Sequence, residues 1–186
     1  QGLVSNDMEK VAPDQSVYAA FLSPQGKYLH DFFVVEQGGS FLLDCQSARL
    51  GDLKKRLGLY RLRADVSLDD KSDEYAIAAL FGDDAAASLG LSVRAGAAAP
   101  FVDGLAFVDP RLADVGARAI LPRKKAAQVL EDAGFASAAG EAYEALRIGL
   151  GLPDADRDME VGKTTLLESG FDELNGVDWD KGCFIG

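Results

Sequence analysis

Hydrophobic and polar positions form short blocks through the first half of the chain and helical spacings later. "VYAAFL" (17–22) and "KYLHDFFVVE" (27–36) are β-rich runs. The "SPQG" between them is a Pro–Gly turn signal, so they read as a hairpin. "QGGS" turns the chain again into "FLLDC" (41–45). Leu50, Leu53, Leu57 and Tyr60 recur at three- and four-residue steps, which predicts an amphipathic helix over 47–60 with Ser47 as its cap. "RADVSLDD" (63–70) and "EYAIAALFG" (74–82) predict two further strands, and "DDAAASLG" (83–90) a short helix.

Residues 92–116 are rich in small side chains and predict a loop and one strand ending at Asp109–Pro110. "LPRKKAAQVLEDAG" (121–134) has Pro at its start and Gly at its end, the asymmetry of a capped helix. "SAAGEAYEALRIGLGLP" (137–153) predicts another, stopped by glycines and Pro153. Residues 154–176 read as loop with one turn of helix. Strands first, helices mixed in and no strict βαβ alternation predict an α+β fold of antiparallel sheets with packed helices.

Charge narrows the partners. A formal net charge of −11 disfavours a nucleic-acid backbone, which is bound through Lys and Arg. Lys54, Lys55, Arg56, Arg61 and Arg63 do cluster, either as a solvated helix face or as a patch for an anionic ligand or RNA. No run approaches the ~20 apolar residues of a membrane span, so no membrane partner is expected. With two cysteines and one histidine, a four-ligand zinc site would need carboxylate help, and no metal site is expected. The cysteine count gives no disulfide framework and points to a reducing, cytoplasmic-type compartment.

Few residues invite chemistry. "VGKTT" (161–165) lacks the glycine that a phosphate loop needs five residues earlier, because position 157 is Arg. Strand alternation over 27–36 places Leu29, Asp31, Phe33 and Val35 on one face and Tyr28, His30, Phe32 and Val34 on the other. Asp31 thus sits among apolar neighbours, where a carboxylate must be hydrogen-bonded, paired or shifted in pKa. Two readings stand: a grip on a polar ligand in an apolar cleft, or a structural Asp, at a sheet edge or as the partner of a nearby arginine. His30 reads as structural or exposed. Cys183 has Lys181 two residues before it and glycines at 182 and 186, the surroundings of a reactive or metal-contacting thiol. The alternative is an inert buried cysteine, and Cys45 reads as that kind.

"DKGCFIG" (180–186) resembles the first part of the K-G-C-[FY]-x-G-Q-E signature of the YgfZ family, folate-binding proteins related to the aminomethyltransferase (T-protein) of the glycine cleavage system. Other segments agree in order: "QGLVSND", "YAAFLSPQGKYLHDFFV", "DPRLADVGAR", "ALRIGLGLP" and "LLESGFDELNGVDWDKGC". Gly149 and Leu150 stand where the aminomethyltransferases usually read Glu-Ala, and their "GYTGED" stretch is absent, which favours the YgfZ branch.

The resemblance implies a folate-binding region over 1–186, cut at both ends and continued by a C-terminal β-barrel. It implies a tetrahydrofolate-binding accessory protein of iron–sulfur cluster assembly or repair, with iron–sulfur client proteins as partners. The alternative is a tetrahydrofolate-dependent aminomethyltransferase-like or tRNA-modifying enzyme, although the charge does not favour tRNA. By the same resemblance, Asp31, Tyr18, Asn6, Asp7, Arg147 and Glu168 are expected around the folate, with Cys183 and Lys181 as the functional thiol and its lysine. The compartment implied is the cytoplasm, or the mitochondrial matrix in a eukaryote.

Overall fold

Strand β1 (Val17–Leu22) is buried at every residue, as its unbroken apolar run requires of a strand covered on both faces. In the computed structural model, which describes residues 2–184, it pairs antiparallel with β2 (Tyr28–Gln37), and β2 pairs with β3 (Ser40–Cys45). A second antiparallel sheet has the order β4 (Tyr75–Leu80), β7 (Ala117–Pro122), β6 (Gly104–Val108), β5 (Ala98–Phe101). The helices are α1 (Leu50–Leu59), α2 (Ala85–Ser88), α3 (Ala126–Asp132), α4 (Gly140–Gly149) and α5 (Ala155–Asp158).

The two sheets pack face to face. Tyr18, Ala20, Tyr28, Phe33 and Val35 of the first meet Leu105, Phe107 and Ile120 of the second, and Met159, Leu166 and Phe171 close that core. On the outer face of the first sheet Ala19, Phe21, Phe32 and Val34 pack on Leu53 of α1. On the outer face of the second, Leu80, Val108 and Leu121 pack on α2 and α3. The order is therefore helix, sheet, sheet, helix, an α+β architecture as expected.

Three predicted elements fall differently. Residues 63–70 form no strand, so β4 is the edge of its sheet. The small-residue stretch holds a complete hairpin, β5–β6, whose tight approach explains its composition: a Cβ on Gly104 would stand 2.1 Å from the Ile120 carbonyl oxygen. Pro122 ends β7 instead of opening a helix, and α3 starts at Ala126. Pro122 faces Tyr75 in a non-hydrogen-bonded pair, because the bond beside it runs from the Arg123 N–H to the Glu74 carbonyl (2.8 Å), so the missing donor costs the ladder little. Ser47 makes no side-chain cap; it opens a 3-10 turn, Ser47–Arg49, ahead of α1.

The alternation read for β2 also breaks. Phe21 pairs with His30 but Leu22 pairs with Tyr28, so Leu29 is an extra, bulged residue. From Tyr28 to Leu29 the facing is reversed: Leu29 joins the outer core and Tyr28 the inner one. The "VGKTT" segment holds this bulge in place. The Tyr28 N–H donates to the Thr164 carbonyl (2.9 Å), and the Gly162 N–H donates to the Tyr28 carbonyl (2.8 Å).

Candidate functional site

Asp31 lies on the inner face of β2, half-buried, at the wall of a cavity of about 270 Å³. Both its oxygens accept hydrogen bonds from phenols: Tyr18 Oη donates to Oδ2 and Tyr28 Oη to Oδ1, each at 2.8 Å. Tyr18 reaches it from the neighbouring strand β1, and Tyr28 reaches it because of the bulge. Burial, with the Asp31 charge second, raises the pKa of both phenols well above the ordinary tyrosine range. They are donors at any physiological pH.

Tyr28 is itself held by Arg49. The guanidinium lies 5.8 Å from the ring centroid, donates from Nη1 to Tyr28 Oη (3.3 Å) and bonds the Leu29 carbonyl through Nη2. Tyr18 is stacked on Phe171 (centroids 5.1 Å apart) and rests against Phe33 at the same distance. The buried Asn6 donates to the carbonyl of Tyr18 (2.7 Å) and to that of Asn175 (2.6 Å), tying the N-terminal segment to β1.

The opposite wall departs from the apolar cleft expected around Asp31. Asp44, Arg111, Arg118, Glu144, Arg147, Asp154 and Asp156 join Phe33 and Pro153 in the lining. The reason is topological: β2 contributes an apolar face, whereas the facing residues come from β3, β7, α4 and the turns beside them. Arg111 and Arg118 both lie over the Phe33 ring, with guanidinium carbons 4.9 and 4.4 Å from its centroid. Each is neutralised by its own carboxylate. Arg111 pairs bidentately with the buried Asp109 (3.0 and 2.8 Å), and Arg118 bonds Asp44 (2.8 and 2.6 Å) across the two sheets. Although burial opposes its charge, Asp109 holds Arg111 firmly protonated.

Arg147 lines the cavity too, but its guanidinium is spoken for. It donates to Glu144 (3.0 and 2.9 Å), Asp158 (3.0 Å) and the Leu152 carbonyl (3.1 Å). Glu168 lies apart, exposed, capping its own turn through Thr165 Oγ1 and N–H (2.6 and 3.1 Å). Asp7 accepts from the Glu9 N–H (2.9 Å) at the head of a 3-10 turn. Neither is in the cavity lining. His30 faces the other way, buried, at 2.9 Å from Asp52 on α1, and burial lowers its pKa.

The segment bearing Cys183 runs back along the N-terminal residues. Ser5 Oγ donates to the Gly176 carbonyl (2.5 Å) and accepts from the Ala20 N–H (2.8 Å). The Asp178 N–H donates to the Ser5 carbonyl (3.0 Å), Lys10 pairs with Asp178 (2.5 Å), and Lys181 Nζ donates to the Val4 carbonyl (2.5 Å). Gly176 permits the close pass: a Cβ there would lie 2.7 Å from the Phe171 ring and 3.2 Å from that of Tyr18. Cys183 itself is exposed and lies outside the lining of the Asp31 cavity. Cys45 does line it, half-buried, and burial pushes its thiol up to about 11. Gln1, Ile185 and Gly186, which complete the two terminal motifs, lie outside the described residues.

Tyr28, Arg111 and Arg118 escaped the reading of the sequence as site residues. The two arginines stand at the fixed positions of the quoted "DPRLADVGAR", and that spacing was their signal. Among the described residues, no group of three or more His, Cys, Asp or Glu side chains is arranged to hold a metal ion, and no helix is long and apolar enough to cross a membrane.

No protein-family model matches the chain. Over its whole length it is 32% identical to the mitochondrial iron-sulfur cluster assembly factor IBA57 homolog of Mycosarcoma maydis, covering 46% of that protein. It is 31% identical to the human mitochondrial iron-sulfur cluster assembly factor IBA57, covering 54% of it. The chain thus spans about half the length of the curated relatives it matches. Among solved structures it is similar to the glycine cleavage system aminomethyltransferase T from Bartonella henselae, with a TM-score of 0.66 and 17% identity over 92% of this chain and 50% of that one. The fold is that of the aminomethyltransferase neighbour.

Proposed function

We propose that this chain is the tetrahydrofolate-binding part of an accessory protein for iron–sulfur cluster assembly, working in a reducing compartment, the mitochondrial matrix of a eukaryotic cell. Its relatives carry that assembly role and a mitochondrial location in their names. The observation that carries the folate half of the reading is the doubly held Asp31 at the wall of a cavity of about 270 Å³. That volume lies just below the usual range of ligand pockets, roughly 300–1,000 Å³, and suits a bicyclic head group with its tail outside.

The residues present fit such a group. Asp31 presents acceptor lone pairs toward the cavity, Phe33 and Pro153 supply apolar contact, and the arginines of the wall are each paired with a carboxylate. Tyr18 orients Asp31, Asn6 braces the Tyr18 strand, and Arg147 shapes the rim while bound to Glu144. Tetrahydrofolate, when bound, supplies ring nitrogens able to carry one-carbon units. Cys183, exposed on the segment tied down through Lys181, is the thiol that meets the iron–sulfur client.

Calorimetry with tetrahydrofolate tests the first half. Asp31→Ala is expected to weaken binding at least about tenfold, the worth of a charge-assisted hydrogen bond. Unchanged affinity removes Asp31 from the site. For the second half, cells depleted of the protein should lose iron–sulfur enzyme activity and regain it with the wild-type gene. Equal rescue by Cys183→Ala would end the role given to the thiol.

A further inference from the structure

Which hydrogens the Asp31 clamp can offer is decided by Arg49, a residue outside the cavity lining. A phenol has one proton to give. Arg49 is a donor only and points Nη1 at Tyr28 Oη, so that oxygen accepts from the arginine and its single proton goes to Asp31. Tyr18 gives its proton to the other carboxylate oxygen. Each oxygen of Asp31 then has an acceptor direction left and no hydrogen of its own. Unshared Asp31 could rotate or hold a water that turns a hydrogen toward the ligand; clamped at both oxygens, it is kept from doing so.

We infer that Tyr28, backed by Arg49, is a specificity-determining residue: it locks Asp31 as an acceptor, so the cavity selects a pterin whose ring nitrogens bear hydrogen over its oxidised counterpart. The inference rests on the folate reading above and deepens it. The amide N–H and the 2-amino group are common to both oxidation states, so the selection is made with Asp31 against the pyrazine ring, whose nitrogens carry N–H in a tetrahydropterin and lone pairs in the oxidised form. Lone pair against lone pair leaves buried acceptors unsatisfied, and sites built around such a bond reject the analogue that lacks the hydrogen. The raised pKa of both phenols keeps the clamp protonated at physiological pH.

The test is anaerobic calorimetry of the full-length protein with tetrahydrofolate and with folic acid, on wild type, Tyr28→Phe and Asp31→Asn, with melting curves as a folding control. Wild type is expected to prefer tetrahydrofolate by tenfold or more. Tyr28→Phe keeps the ring over Arg49 and should cut that ratio severalfold. Asp31→Asn, which exchanges an acceptor for a donor, should bring it to one or below. A wild-type preference that both variants retain overturns the inference and leaves the folate reading standing. If wild type binds neither compound, the folate reading falls and takes the inference with it.

Discussion

The wall around Asp31 and the segment carrying Cys183 are built on opposite principles. Asp31 is held at both oxygens by side chains from two strands, and those side chains are held in turn by Arg49, Phe171 and Phe33. Cys183 is held through its neighbours: Ser5, Lys10 and Lys181 fasten the backbone before it, and Phe184 just after it packs against the inner core. One region fixes the direction of a functional group; the other fastens the chain on both sides of a thiol and leaves the thiol exposed. A ligand grip needs the first. A thiol that must meet another protein needs the second.

The largest expected effect lies under the cavity. Asp109→Ala leaves the Arg111 guanidinium buried and unpaired, which should cost about 3–5 kcal/mol in urea unfolding. A loss under 1 kcal/mol would show that the wall is not braced this way. Next come the thiols, one in each region. Alkylation near pH 7 should modify Cys183 about a hundredfold faster than Cys45, whose thiol is half-buried and shifted to about 11. Comparable rates would erase the contrast.

A smaller effect separates anchoring from folding. Ser5→Ala removes the hydroxyl that joins Gly176 to Ala20 and should cost about 1–3 kcal/mol. Hydrogen exchange should rise over 176–184 while β2 stays protected; exchange rising equally in both would merge the two regions. The smallest effect is Lys10→Ala, at most about 1 kcal/mol because Lys10 is largely exposed. The hydrogen bond from Lys10 holds the Asp178 carboxyl below the usual carboxylate range. Its stabilisation is therefore full above about pH 4, the unfolded value, and lost as pH falls through the folded one. Wild type and variant should converge in acid; a difference that persists there assigns the effect elsewhere.

Much of this was legible in the sequence, and the gaps have physical causes. The first hairpin announced itself through its Pro–Gly turn, and Asp31 through its apolar neighbours. Strand β7 was hidden because Pro122 and the Lys-rich stretch after it look like a helix start, when the proline merely occupies a ladder position that needs no donor. Residues 63–70 have strand-like alternation but no strand partner in the fold. The contact of Arg111 and Arg118 with the Phe33 ring joins residues far apart in the chain, which local periodicity cannot express. Alternation alone puts Tyr28 on the outer face, because it assumes an unbroken ladder.

That last slip points to what Leu29 does. On a regular ribbon, residues three apart can never cooperate, since odd spacings always look away from each other. One surplus residue works as a phase shifter and makes 28 and 31 count as an even pair. Removing Leu29 would restore parity, send the second phenol toward α1 and leave the carboxylate with a single donor. The chemistry of the cavity thus depends on a residue that never enters it.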